Sequence, residues 1–187
     1  VPLIQVEKNI LKNNSQSSPH QGLMAEVKPI DWFNIEDIIY SSKENICLVI
    51  LDQVTNPQNI GAILRIANAF EANGVIITKK HAPSENGLMA RAAAGAIEMM
   101  PLIRVTNLSR AIEYLKKENF TVVGLEKNGN VFLNKISDIP RIALVLGSED
   151  QGLRRLTQEK LSLSVKIPIA VGTESLNVAS AAAIALY

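Results

Sequence analysis

Six short apolar runs, each parted from the next by a helix-like stretch or a polar turn, limit what this chain can become. They are ICLVILD (46–52), GVIIT (74–78), PLIRV (101–105), FTVVGL (120–125), RIALVLG (141–147) and SVKIP (164–168). A strand with one wet face alternates apolar and polar residues. A near-continuous apolar run instead fits a strand covered on both faces, as in a parallel sheet. Helical periodicity fills the gaps. Gln58 to Phe70 places Ile60, Ile63, Leu64, Ala67 and Phe70 on one stripe, and Leu88 to Ala94 forms a small-residue helical turn. Asn107 stands as cap to Leu108–Glu118, whose stripe is Leu108, Ala111, Ile112 and Leu115, and a further helix is expected from Leu153 to about Lys160. The alternation predicts an α/β fold, a mostly parallel sheet with flanking helices. There is no internal repeat.

The 187 residues suffice for one domain plus an extension. Residues 1 to about 22 are rich in Asn, Ser, Gln and Lys and read as a linker or flexible arm. HQGLMAEV (20–27) alternates like a short strand, and Asn34 with Asp37 three residues on caps a short helix, IEDIIY. The main domain is expected to begin near Asn45, dividing the chain into a lead-in, 1–44, and a domain, 45–187. The chain stops at Tyr187 inside a helical pattern, as a piece of a longer protein would.

Composition excludes several classes. No apolar run reaches the roughly 20 residues of a membrane-spanning helix, and the first twenty residues lack the apolar segment of a signal peptide. One cysteine (Cys47) and two histidines (His20, His81) make neither a disulfide framework nor a zinc site, so no metal is expected and the compartment reads as cytoplasmic. A net charge of +1 argues against binding nucleic acid by bulk electrostatics, though a local basic patch is compatible with it.

Three loops follow strands at their C-terminal ends, where open α/β sheets place ligands. DQVTNPQNIGAILR carries Asn59 and Gly61 in its first helical turn and Arg65 on the flank of the apolar stripe. GSEDQGL brackets Glu149 between glycines, with Gly147 able to approach a ligand closely. IPIAVGTESLNVASAAAIALY sets Ser175 and Asn177 either side of Leu176, where a loop becomes an alanine-rich helix. Backbone N–H groups and side chains can converge there on a small ligand. Taken singly, each loop is an ordinary strand-to-helix turn. No dinucleotide fingerprint, phosphate-binding loop or nucleophile elbow is present.

NPQNIGAILRIA, LVLGSEDQGL and IPIAVGTESLNVASAAAIALY, in this order and spacing, resemble the three motifs of the SpoU (TrmH-type) RNA 2′-O-ribose methyltransferases of the SPOUT superfamily. The resemblance covers about Asn45 to Tyr187. GLRRLT (152–157) looks most like the branch that methylates a guanosine of large-subunit ribosomal RNA, and HQGLMAEV resembles the lead-in from a separate N-terminal RNA-recognition domain.

What the resemblance implies is specific. The sheet would end in a deep C-terminal trefoil knot, although true knots are rare. S-adenosyl-L-methionine (AdoMet) would bind in the knot near Gly124, Leu125, Gly147, Ile167 and Leu176. Arg65 would be the central catalytic residue, with Asn59, Glu149, Ser175 and Asn177 around it. The family proposal has this arginine take the proton from the ribose 2′-hydroxyl. An arginine keeps its charge at neutral pH, so holding the RNA phosphate and stabilising the forming alkoxide asks less of it. RNA would be the substrate, ribosomal more than transfer RNA, and the chain would work as a homodimer through the alanine-rich helix. A non-catalytic knotted RNA-binding module is the reading from a different class. The chain departs from the usual pattern at Ile66, in RAAAGA (91–96) and at Ala179, none of them a proposed catalytic side chain.

Overall fold

The computed structural model describes residues 2–14, 22–40, 44–80, 82–83, 85–136 and 138–187. Two short helices come first, α1 (Lys8–Asn14) and α2 (Ile35–Ile39). They are followed by β1 (Ile46–Asp52), α3 (Pro57–Ala69), β2 (Gly74–Thr78), α4 (Gly87–Ala93), α5 (Ala96–Met99) and β3 (Leu102–Val105). Next are α6 (Leu108–Lys117), β4 (Thr121–Leu125), β5 (Val131–Phe132) and a 3-10 turn at Leu133–Lys135. The chain closes with β6 (Arg141–Gly147), α7 (Arg155–Gln158), β7 (Leu163–Lys166) and α8 (Val178–Leu186).

The strands form one seven-stranded sheet in the order β3-β2-β1-β6-β4-β7-β5. Every pairing between named strands is parallel. β1 and β6 pair along their whole length, from Ile46 opposite Arg141 to Asp52 opposite Gly147. Alternate residues of β1 serve opposite faces, as a strand's two-residue period requires. Val49 and Leu51 meet the residues of α3, α4, α5 and α8, whereas Leu48 and Ile50 meet those of α2 and α6. Both faces are covered, which is why these strands read as continuous apolar runs.

Helix starts follow the asparagines. Asn56, Asn86, Asn107 and Asn177 each accept a backbone N–H of the first helical turn on their side-chain oxygen. At α2 the Asn34 N–H donates to Asp37 Oδ2 at 2.9 Å. Between α4 and α5 the chain turns through left-handed Ala94 and Gly95, a conformation that glycine adopts freely. α3 crosses α4 at Gly61, where a Cβ would run into the Met89 carbonyl and Ala92.

Some expectations change. The alternation in HQGLMAEV does not become a strand: residues 23–27 have no ladder partner and Leu23, Met24 and Val27 are exposed, while His20 and Gln21 lie outside the described residues, as does His81. The expected arm contains helix α1. The lead-in also reaches the core, because Ile35, Ile38 and Ile39 repeat at helical spacing and pack under the sheet. The helix expected from Leu153 shortens to Arg155–Gln158, since Leu153 is drawn into the core and Arg154 is extended. The last strand stops at Lys166, and Pro168 just beyond has no N–H to extend the ladder. Cys47 is half-buried on β1, where burial pushes its thiol up to about 11.

Candidate active site

The loops after β4, β6 and β7, together with the start of α8, enclose a cleft of about 650 Å³ at the C-terminal edge of the sheet. Leu125, Gly147, Glu149, Ile167, Ser175 and Leu176 all line it. A hollow of about 840 Å³ lies at the opposite end of the strands, among Asn45, Phe70, Met99, Pro101 and Pro140. No candidate residue reaches that hollow, so side-chain convergence rather than volume identifies the site.

Gly147 shapes the cleft by what it lacks. A Cβ there would fall inside the backbone of Gly152 and Leu153. The chain after β6 can therefore fold back on itself: Ser148 N–H donates to the Gly152 carbonyl at 3.2 Å and Gly152 N–H returns to Ser148 at 2.9 Å. Glu149 sits at the tip of this tight loop. Its carboxylate accepts from Asn177 Nδ2 at 2.6 Å and from the Val178 N–H at 3.5 Å. The start of a helix offers unpaired N–H groups to an anion, and Glu149 occupies that position on α8.

Asn177 joins all three motifs. Its oxygen caps α8, accepting from Ala179 N at 3.0 Å, while its amide donates both to Glu149 and to Asn59 Oδ1 at 3.2 Å. Asn59 is held in the first turn of α3, which Asn56 caps. Three residues expected to act together thus meet through direct hydrogen bonds.

Arg65 does not join this cluster. It is exposed almost two turns further along α3, with no ion pair among the described residues. Ser175 lines the cleft with an exposed side chain. Gly124 lies one residue back from the lining; a side chain there would collide with Leu161 and Leu153, so its bare backbone lets these leucines pack beside the cleft.

Two features escaped the sequence reading. Glu126 lines the cleft and accepts the Ser164 hydroxyl on Oε2. Asp52, fully buried at the end of β1, pairs with Arg154. The one signal for Asp52 was a carboxylate ending an otherwise apolar run.

The profile of the SpoU rRNA Methylase family matches residues 47–187, spanning every loop of the cleft. The chain belongs to the SpoU rRNA methylase family. Among relatives, it is 41% identical to the 23S rRNA (guanosine-2′-O-)-methyltransferase RlmB of Coxiella burnetii, over 99% of this chain and 74% of that protein. It is 38% identical to RlmB of Escherichia coli, over 96% of this chain and 75% of that protein. Solved SpoU-like structures share the architecture. The AdoMet-bound rRNA methyltransferase of Sinorhizobium meliloti superposes with a TM-score of 0.76 at 28% identity, covering 83% of this chain and 59% of that one. The SpoU methyltransferase AviRb of Streptomyces viridochromogenes gives 0.77 at 26% identity, covering 84% and 62%. The chain thus spans less than two thirds of these two solved chains.

Proposed function

We propose that this SpoU-family chain is the catalytic unit of an AdoMet-dependent RNA ribose 2′-O-methyltransferase whose target is a guanosine of large-subunit ribosomal RNA. The observation that carries this reading is the meeting of Asn59, Glu149 and Asn177 at a cleft built from three family motifs. The named relatives supply the guanosine and the ribosomal RNA.

The cleft suits AdoMet chemically. Leu125, Leu146, Ile167 and Leu176 offer apolar surface for an adenine, as small-molecule sites commonly do. The polar lining is acidic, with Glu126, Glu149, Asp150 and Glu174 against a single cation, Lys127. That balance disfavours a polyphosphate and favours a ligand carrying a sulfonium and an ammonium. When bound, AdoMet supplies an electrophilic methyl group on its positively charged sulfur.

The chain's own residues supply position and charge. Asn177 and the Val178 N–H hold Glu149 at the cleft, and Asn59 ties the start of α3 to the same point. Arg65 offers a planar cationic fork to an RNA phosphate and to negative charge growing on the 2′-oxygen. Holding the 2′-oxygen close to the methyl group of a bound AdoMet would supply much of the rate.

The same reading includes two features carried by the family resemblance, a deep C-terminal trefoil knot and a homodimer, and a cytoplasmic location that rests on the single cysteine. The exposed Ile184 on α8 supports a partner at that helix. The division into a lead-in, 1–44, and a catalytic domain, 45–187, belongs to it too.

The test is methyl transfer from labelled AdoMet to ribosomal and transfer RNA, with the 2′-O-methyl position mapped. A single guanosine in 23S rRNA is expected. Transfer RNA as the sole acceptor would overturn the substrate, and absence of AdoMet binding would overturn the activity.

A further inference from the structure

The loop that walls the cleft is fastened from beneath. Asp52, the last residue of β1, lies opposite Gly147 in the β1–β6 register, and its side chain has no solvent exposure. Both of its oxygens are taken by one residue: Arg154 Nε donates to Oδ1 at 2.6 Å and the Arg154 backbone N–H to Oδ2 at 3.0 Å. Arg154 closes the loop that Gly147 opens. Between them, Ser148 and Gly152 exchange backbone hydrogen bonds, Ser148 Oγ accepts the Gln151 N–H, and Glu149 projects to Asn177.

We propose that Asp52 and Arg154 are positioning residues for methyl transfer, the ion pair between the buried Asp52 and the partly exposed Arg154 setting the 147–153 loop that walls the cofactor cleft and carries Glu149. A carboxylate shut away from water is stable only when paired and hydrogen-bonded. Asp52 therefore imposes its geometry on Arg154, and two of its bonds fix where the loop ends. Its other end is fixed by the β6 ladder. With both ends set and the turn closed on itself, the tip has little freedom, and Glu149 meets Asn177 and the Val178 N–H already oriented. Asp52 also starts the connection to α3, so one buried charge registers the Asn59 and Glu149 loops against each other. The inference rests on the reading of this cleft as the AdoMet site.

The experiment compares the whole protein with its Arg154→Ala, Arg154→Lys, Asp52→Asn and Arg155→Ala variants. Three quantities are read: AdoMet affinity by calorimetry, the separate KM values for AdoMet and RNA, and amide hydrogen exchange at Ser148 and Gly152. Arg154→Ala is expected to weaken AdoMet binding and raise its KM about tenfold, equivalent to ~1.4 kcal/mol. It should also speed exchange in the loop while the KM for RNA holds. Arg154→Lys restores part of the affinity, because the charge facing Asp52 remains. Arg155→Ala, which removes an exposed neighbouring charge, leaves AdoMet affinity as it was. Should Arg154→Ala fail to fold, Arg154→Lys and Asp52→Asn carry the same comparison. Wild-type affinity and exchange in a folded Arg154 variant would overturn the proposal, as would an equal loss in Arg155→Ala. If the unaltered protein does not bind AdoMet, the functional reading fails, and loop exchange alone still decides whether the pair fixes the loop.

Discussion

The side-chain amide of Asn177 bonds Glu149 and Asn59 at once, at 2.6 and 3.2 Å, while its oxygen caps α8. One residue therefore carries two separable duties, helix capping and assembly of the site. Asn177→Asp keeps the capping oxygen but replaces the donor with a second carboxylate facing Glu149. We expect it to stay within about 1 kcal/mol of wild-type stability, the scale of a whole cap, and to lose most methyl transfer. Asn177→Ala should lose both. Thermal melting paired with turnover checks this, and an active Asn177→Asp enzyme would separate Glu149 from the reaction.

Arg65 stands clear of that cluster and is exposed. Arg65→Lys preserves charge but replaces a planar fork with a point charge, so turnover should fall about tenfold or more while AdoMet affinity holds. Calorimetry alongside steady-state kinetics separates the two. A near-normal rate would make Arg65 a solvated flank residue.

Leu176 and Gly147 both border the cleft, yet they test different things. Leu176→Arg puts a cation into a lining that already suits a cationic ligand and should abolish measurable AdoMet binding in a folded protein. Gly147→Ala drives a methyl into the Gly152 backbone, so the loop itself must shift. It should weaken AdoMet binding and cost about 1–3 kcal/mol of stability, the usual range for overpacking. Loss of affinity in neither variant would move the cofactor elsewhere.

The dimer is tested on the outer face of α8. Ala182 is fully buried against its own chain, so a bulky residue there would damage the core before any interface. Ile184, 46% exposed on the same helix, is the position to change. Ile184→Asp should give monomers in sedimentation at tens of micromolar where the unaltered chain gives dimers, with little change in melting temperature. An unaltered chain that sediments as a monomer would remove the interface.

The elements most legible in the sequence were those with a period or a cap. β1, β2, β4 and β6 follow their apolar runs almost residue for residue, and Asn107 and Asn177 start helices where expected. Short elements escaped because four residues do not establish a period, as at α5 (Ala96–Met99). The facing of α8 was also illegible, since alanine on every side leaves no apolar stripe to follow. Among site residues, Asn59, Glu149 and Asn177 were marked by their loops at strand C-terminal ends and given roles by motif resemblance, whereas the link between Asp52 and Arg154 joins positions 102 apart and depends on strand order. Nothing local announces that β6 will lie beside β1.

That placement of β6 bears on how the chain is made. β1, β2 and β3 leave the ribosome early and can pair at once, but the other side of β1 waits for β6. α3, α4, α5, α6 and β4 must all be synthesised first, a delay of several seconds at roughly 5–20 residues per second. Throughout that interval ICLVILD presents an unpaired, almost entirely apolar edge, the kind of surface that recruits strands from other chains. The sheet's central seam is thus also its period of greatest exposure to aggregation, and a nascent chain halted before Arg141 has no strand of its own to close it.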